Sequence, residues 1–509
     1  MNSGVNDGAN DGVNRTAARG ARRRDHDQGG QLSIAIAAGR LCAWSVLAFL
    51  CARATVDPDL WGHLRFGLDL LQTHQLTSVD PYSFTQDVPW VNHEWLSELG
   101  FGIAFSAGGV LGLLLLKGAI LGAAGWLLAT VSRGADERLR WWLLAVSLVG
   151  LTPAAVTFRP QLWTILALAA LSRILSAGGL PWIPFIFLAW ANLHGGWVVG
   201  VGFCGLWLAG RLVDTRSLRA IIPTALAVVT GVAATLINPY GWRLWLFLRE
   251  TVSMSRNITE WRPLWEQPDF SHGVLWALMV IVVITTIVKR WRMLTWASLF
   301  PVLWLGASSL FVDRLSPLFC EIALLATAQA WRPLTDPQGA SPALSVRPAG
   351  TLLIDAMAVA MVWALNAVGP IRCLPVSNEA SADLVAASAF QSPSVQGRLV
   401  LPFNWGEYAL WHFGPRLRVS TDGRRETVYT EETVNLQAAI GIGRADGLEF
   451  LGRVRPEYVW LPMPAAAKTA GWLEENGYRL DVETSESFVG TRADLPRLTL
   501  GAPMSSCFP

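Results

Sequence analysis

Asp57, Asp59 and His63 stand within seven positions of one another in ATVDPDLWGHLRFG (54–67), directly after the apolar run LSIAIAAGRLCAWSVLAFLCA. Two carboxylates and an imidazole at the end of a greasy segment have three readings: a solvated turn, a metal site, or an acid/base centre. Pro58 fixes its own φ and holds the residue before it extended. A helix can start at Asp59, with that aspartate as N-cap. A cap needs one carboxylate, so Asp57 is left over. Partial desolvation pushes a carboxyl's pKa upward, which suits a general base. A second group follows in WVNHEWL (90–96), where His93 and Glu94 adjoin between two tryptophans. Carboxylate-rich sites suit a hard cation such as Mg or Mn. The His-Glu-x-x-His and Cys-x-x-Cys spacings of zinc sites are missing.

Membrane segments must position these residues. The 509 residues are 52% hydrophobic and only 15% charged, against about 25% charged in soluble domains. Mean hydropathy is +0.37. The chain reads as a polytopic α-helical membrane protein. Net charge is +2, with no concentrated basic face, which argues against a nucleic-acid partner. The 26 tryptophans suit interfacial anchoring among membrane lipids. Residues 1–32, rich in Gly, Asn, Asp and Arg, read as a disordered cytoplasmic tail. Spans are expected near 33–54, 109–131, 140–157, 160–176, 180–193, 196–212, 218–238, 271–289, 293–311, 315–331 and 351–369, eleven in all within a 33–369 membrane domain. Arginines at 133–140 and 211–219, and Lys289 to Arg292, fall in short inner loops, as the positive-inside rule requires. Stretches 93–109 and 238–252 are expected to lie along the outer interface, with two additional crossings as the alternative.

An odd number of spans places the first loop, 55–108, and residues 370–509 on the periplasmic side of an inner membrane. The latter stretch gains charge and strand-like alternation and is expected to form a small α/β domain. Cys373 and Cys507 bracket it and are candidates for a disulfide in an oxidising compartment. The same topology gathers polar groups at the outer face: Asp80 in the first loop, Arg159 in TFRPQLW, His194 in ANLHGGW, Arg243 in INPYGWR, Arg262 in EWRPLWE and Arg314 in VDRLSP. Ionisable groups near bilayer depth mark functional cavities by default. Asp355, in the last span, carries no assigned role.

DPDLWGHLRFG, SVDPYSFT and WVNHEWLSEL together resemble the opening of bacterial membrane glycosyltransferases of the GT-C superfamily, in a branch related to the aminoarabinose and protein-mannosyl transferases. FRPQLW, NLHGGW, INPYGW and GEYALWHFGP…VSTDGRRE extend the resemblance over most of residues 33–430. The resemblance implies a GT-C-like fold and a polyprenyl-phosphate sugar donor. It implies inverting transfer to an extracytoplasmic acceptor in an envelope glycan, lipid or protein. Asp57 and Asp59 become the catalytic candidates, either as base. His63, Asp80, His93, Glu94 and His194 become site-lining residues. Arg159, Arg243, Arg262 and Arg314 become partners for the donor phosphate, since a guanidinium grips phosphate oxygens in pairs. The competing expectation is a non-catalytic component or scaffold of envelope polysaccharide assembly or transport. A transporter would show inverted repeats and midplane charges, and neither is evident.

Overall fold

The computed structural model describes residues 34–253, 259–333, 349–376 and 382–509. The expectation for the tail at 1–32 lies outside the described residues. The first helix, α1 (Ile34–Ala52), leads into α2 (Leu60–Thr73) and the long α3 (Trp95–Val131). Then come α4 (Glu137–Gly150), the single turn α5 (Thr152–Ala155), α6 (Gln161–Ala177), α7 (Ile183–Leu193), α8 (Trp197–Thr215) and α9 (Leu218–Ala234). The series continues through α10 (Arg243–Ser253), α11 (Phe270–Arg290), α12 (Trp296–Phe311), α13 (Ser316–Ala330) and α14 (Ala349–Arg372). A helix stands at each of the eleven expected spans. Four helical stretches among the described residues are long and apolar enough to cross a membrane by themselves: Ile34–Ala52, Trp95–Val131, Trp197–Thr215 and Phe270–Met293.

The expected break between 93–109 and the following span takes the form of a kink in one helical run. Gly108 and Gly109 leave helical geometry, and Gly109 has φ +55° and ψ −137°, a conformation open to glycine alone. A Cβ on Gly112 would meet the Ala104 carbonyl oxygen at 1.9 Å, so the chain folds tightly over the bend. The other expected interfacial helix is α10, whose Leu244, Phe247 and Leu248 are buried while Trp242 and Trp245 are exposed. Within the bundle, Arg40 of α1 pairs with Asp355 of α14. Asp355 therefore ties the first and last spans together, each charge offsetting the other's desolvation.

Residues 374–509 build a five-stranded mixed sheet, order β3-β2-β4-β6-β5, and a two-stranded ribbon β1-β7. Its strands are β1 (Leu374–Pro375), β2 (Gly397–Val400), β3 (Leu417–Val419), β4 (Tyr458–Pro462), β5 (Tyr478–Glu483), β6 (Ser487–Arg492) and β7 (Cys507–Phe508). β2 runs parallel to β3 and β4, and β6 runs antiparallel to β4 and β5. Helices α15 (Leu384–Ala387), α16 (Gly406–Phe413), α17 (Glu431–Gly441), α18 (Ala445–Val454) and α19 (Ala467–Glu475) connect and cover the strands. Cys373 and Cys507 form a disulfide that closes the ribbon across 134 residues of sequence.

The first loop is built into this C-terminal sheet. Ser83 bridges β3 at Val419, with Val419 N–H donating to the Tyr82 carbonyl at 3.0 Å and Phe84 N–H to the Val419 carbonyl at 3.1 Å. One hydrophobic cluster holds Trp61, Leu64, Phe66, Tyr82 and Trp90 of the loop together with Phe390, Tyr408, Phe413 and Trp460. Sheet and loop thus share a core rather than touching at a surface.

Candidate active site

The segment carrying the aspartates is threaded between two others. Thr55 N–H donates to Val156 at 3.0 Å and Val56 N–H to Pro375 at 2.9 Å, with bridges to Thr157 and Val376. This places Asp57 beside Arg159 and α2 behind it. Asp57 is buried. Its Oδ1 accepts the Asp59 N–H at 3.1 Å, and its Oδ2 accepts from Arg159 Nε at 2.7 Å. Burial pushes the Asp57 carboxyl up, against the pull of Arg159. The same guanidinium reaches Asp59 Oδ2 at 3.2 Å and the Glu260 carboxylate. Burial opposes its charge, but these three carboxylates hold Arg159 firmly protonated. Glu260 turns its other oxygen to Arg314 Nη1 at 3.3 Å. Despite burial, Arg159 and Arg314 together keep Glu260 below the ordinary carboxylate range.

Asp59 occupies the N-cap position of α2, yet its side chain makes no capping hydrogen bond. The expectation that an aspartate would cap here is corrected. The N–H that it would have met, at Gly62, donates instead to Glu407 Oε2 at 3.0 Å. Asp59 is left 29% exposed, against 8% for Asp57. Of the two aspartates, Asp57 is the one locked into the protein and Asp59 the one that a substrate can reach.

A second cluster lies beside the first. α2 and α3 cross in backbone contact: a Cβ on Gly67 would meet the Glu98 carbonyl oxygen at 2.0 Å, and one on Gly102 would meet Gly67 at 2.9 Å. This crossing sets His63 Nδ1 3.3 Å from Glu98 Oε1, whose other oxygen accepts from Asn92 Nδ2 at 2.6 Å. Burial works against a charge on His63, but the bond to Glu98 and the nearby Glu94 and Asp59 raise it to about 9. The Glu94 carboxylate faces both His93 and His194, each at 3.6 Å. His194 Nδ1 accepts from Gly196 N–H at 3.1 Å and from Thr164 at 2.7 Å, which leaves the proton on Nε2, toward Glu94. Burial drives His194 down to about 3, so it is neutral. Despite burial, Glu94 stays below its usual range, held there by His93, His63 and Arg314. Arg314 thus acts on both clusters.

The short motifs are anchor points for WVNHEWLS. Trp163 donates to Ser97 at 3.0 Å and Trp95 to Asn192 at 3.0 Å. The Tyr240 hydroxyl accepts the Asn92 N–H at 2.9 Å, and Phe247 of α10 packs on His93 at 5.1 Å.

One proposed residue is held elsewhere. Asp80 is 1% exposed and gripped by both terminal nitrogens of Arg424, at 2.8 and 2.7 Å. Arg424 also holds Asp422, and its guanidinium lies over Phe66, Tyr82 and Trp90. Asp80 clamps the loop to the C-terminal sheet and does not line the opening. Arg243, at the start of α10, and Arg262 are exposed. Arg262 stands two residues from Glu260, and its carbonyl accepts the Asp313 N–H at 3.2 Å, next to Arg314.

Glu260 and Glu98 read from sequence as outer-face carboxylates with no site role, and Glu407 was missed. Glu407 sat inside GEYALWHFGP, but nothing in its spacing says that it returns to Gly62, 345 residues earlier. Among the described residues no group of three or more His, Cys, Asp or Glu is set to hold a metal ion. Asp57, Asp59 and Glu260 converge on a guanidinium rather than on each other. So arranged they do not fit the expected Mg or Mn, and no step below is routed through one.

No protein-family model matches the chain, and no curated protein matches it. Solved structures do. ArnT from Cupriavidus metallidurans, an aminoarabinose transferase, superposes in its apo state with a TM-score of 0.54 at 11% identity, over 91% of this chain and 98% of that one. In the structure bound to undecaprenyl phosphate the score is 0.50 at 14% identity, with the same coverage. The archaeal oligosaccharyltransferase AglB from Archaeoglobus fulgidus, in complex with an inhibitory peptide and a dolichol-phosphate, gives 0.52 at 12% identity over 90% of this chain and 75% of that one. The fold is therefore similar to that of ArnT and AglB.

Proposed function

We propose that the protein is a membrane glycosyltransferase that takes a sugar from a polyprenyl-phosphate donor and passes it to a hydroxyl-bearing acceptor on the periplasmic side of an inner membrane. In this reading the N-terminus is cytoplasmic. The membrane domain runs from 33 to 369, and residues 370–509 form a periplasmic domain beside the first loop, 55–108. The observation that carries the reading is Asp59: a partly exposed carboxylate, relieved of capping, beside a guanidinium pair. ArnT and AglB, which share the fold, have been solved with undecaprenyl phosphate and dolichol-phosphate, which supports a lipid-linked donor.

The chemistry follows from the charges. Asp59 takes the proton of the acceptor hydroxyl as the oxygen attacks the sugar carbon. The bond to the phosphate breaks on the opposite face, and the leaving phosphate takes both electrons. That displacement inverts the configuration. Arg314 and Arg159 neutralise the departing charge in a site with little water. Glu260 now bridges these two cations, the position that a phosphate's oxygens suit. The donor phosphate displaces it there. Asp57 keeps Arg159 aimed.

The test uses full-length protein in detergent with a panel of radiolabelled undecaprenyl-phosphate sugars and a membrane extract as acceptor. Transfer by the wild type, lost in Asp59→Asn with the fold intact, is the expected result. A wild type that neither binds undecaprenyl phosphate nor transfers from any donor would sink the reading.

A further inference from the structure

Glu407 lies outside the mechanism above, although from α16 of the C-terminal region it reaches the loop that carries Asp59. Three observations define its place. Its Oε2 accepts the Gly62 N–H at 3.0 Å. Gly62 is the third residue of α2, where an N-cap side chain ordinarily bonds. The approach demands a glycine, because a Cβ at 62 would sit 2.2 Å from the Glu407 carboxyl carbon. On the other side, a Cβ on Gly423 would meet Glu407 Oε1 at 2.5 Å and Asp59 Oδ1 at 2.7 Å. Two carboxyls from distant parts of the chain thus converge on one point beside a second glycine.

We propose that Glu407 is a positioning residue for Asp59: it caps α2 in that residue's place and leaves the partly exposed Asp59 carboxylate free to pair with Arg159. The naming of Asp59 as base rests on the transferase reading; the capping exchange itself does not. An unsatisfied N-terminus is the reason that an aspartate in this position turns inward. Once Gly62 is served by Glu407, nothing draws Asp59 from Arg159. Gly62 and Gly423 are the space that the exchange requires.

The charges around Glu407 decide its form. Asp59 faces it from the start of α2, and Asp422 and Arg424 face it from the loop after β3. Burial comes first, and Asp59 and Asp422 add to it; together they hold the Glu407 carboxyl well above the ordinary carboxylate range. Arg424 and the Gly62 N–H pull the other way and are outweighed. In its protonated form Glu407 accepts the Gly62 N–H through one oxygen without placing a second negative charge against Asp59. As pH rises and Glu407 ionises, the pair repels and Asp59 is displaced.

Infrared spectra of the full-length protein in detergent, from about pH 5 to about pH 9, test the coupling directly. A protonated-carboxyl band is expected at neutral pH. Glu407→Gln should remove it, and Asp59→Asn, which deletes a like charge, should move its titration to lower pH. No such band at neutral pH, or a band indifferent to Asp59→Asn, overturns the proposal. In the undecaprenyl-phosphate sugar assay, Glu407→Gln keeps the acceptor and the neutral charge. It should transfer near the wild-type rate and lose the alkaline decline. Glu407→Ala and Gly62→Ala should each lose about 10²-fold, as for a misplaced reacting group. Wild-type transfer in Glu407→Ala would also overturn it. A wild type that transfers nothing while the infrared shifts occur refutes the transferase reading and leaves the capping exchange standing.

Discussion

Among single residues, the two aspartates of one dipeptide-spaced pair have opposite fates. Asp57 is buried and bonded through both oxygens, and Asp59 is partly open. Asp57→Asn should cost about 1–3 kcal/mol, because it weakens the charged hydrogen bond that a buried carboxylate makes with Arg159 while Asp59 and Glu260 remain. Thermal melts should show that loss, whereas Asp59→Asn should melt like the wild type and fail in transfer. Glu260→Gln removes the anion bridging Arg159 and Arg314, so undecaprenyl phosphate should bind about tenfold more tightly, as a direct titration would show. His63 adds a pH effect. Its pKa in the folded protein is raised, so its contribution to stability is complete below the unfolded value of about 6.5. The contribution is lost as pH rises toward about 9. The wild type should lose thermal stability across that window, and His63→Gln should lose less. The sequence made both aspartates and the histidine legible, because polar groups after an apolar run stand out. It could not rank the aspartates. The ranking depends on Glu407, whose bond to Gly62 is made in space, not in spacing.

The elements repeat this pattern. Eleven apolar stretches are helices because hydrophobic length is a local signal. The bend at Gly108–Gly109 was legible as a boundary, though not as a tight reversal within one helical run. The expectation that failed to travel was Asp80. An acidic residue in a catalytic loop reads as a site residue, but here it meets Arg424 from the C-terminal sheet. Arg424 lies over three aromatic rings and holds two carboxylates, so it is the fastening between loop and sheet. Arg424→Leu should leave Asp80 and Asp422 buried and unpaired, at a cost of about 3–5 kcal/mol. Limited proteolysis should then cut the first loop faster than in the wild type.

The whole molecule is closed by a covalent link between the end of the last span and β7. Replacing Cys373 and Cys507 with serine should lower stability by about 2–4 kcal/mol, read as a lower melting temperature and matched by reduction of the wild type. The link was legible as a pairing of two outer cysteines. The shared core behind it was not, because 55–108 and 370–509 each read as separate segments and only their packing makes them one body. That packing has a consequence for biosynthesis. A ribosome delivers Asp59 long before Glu407, Gly423 and Arg424, and every span between them must be inserted first. A half-made chain holds the aspartates and the arginine at 159 but has neither the cap for α2 nor the clamp on Asp80. The loop that holds Asp59 is thus completed only after residues 407–424 have followed it out of the ribosome.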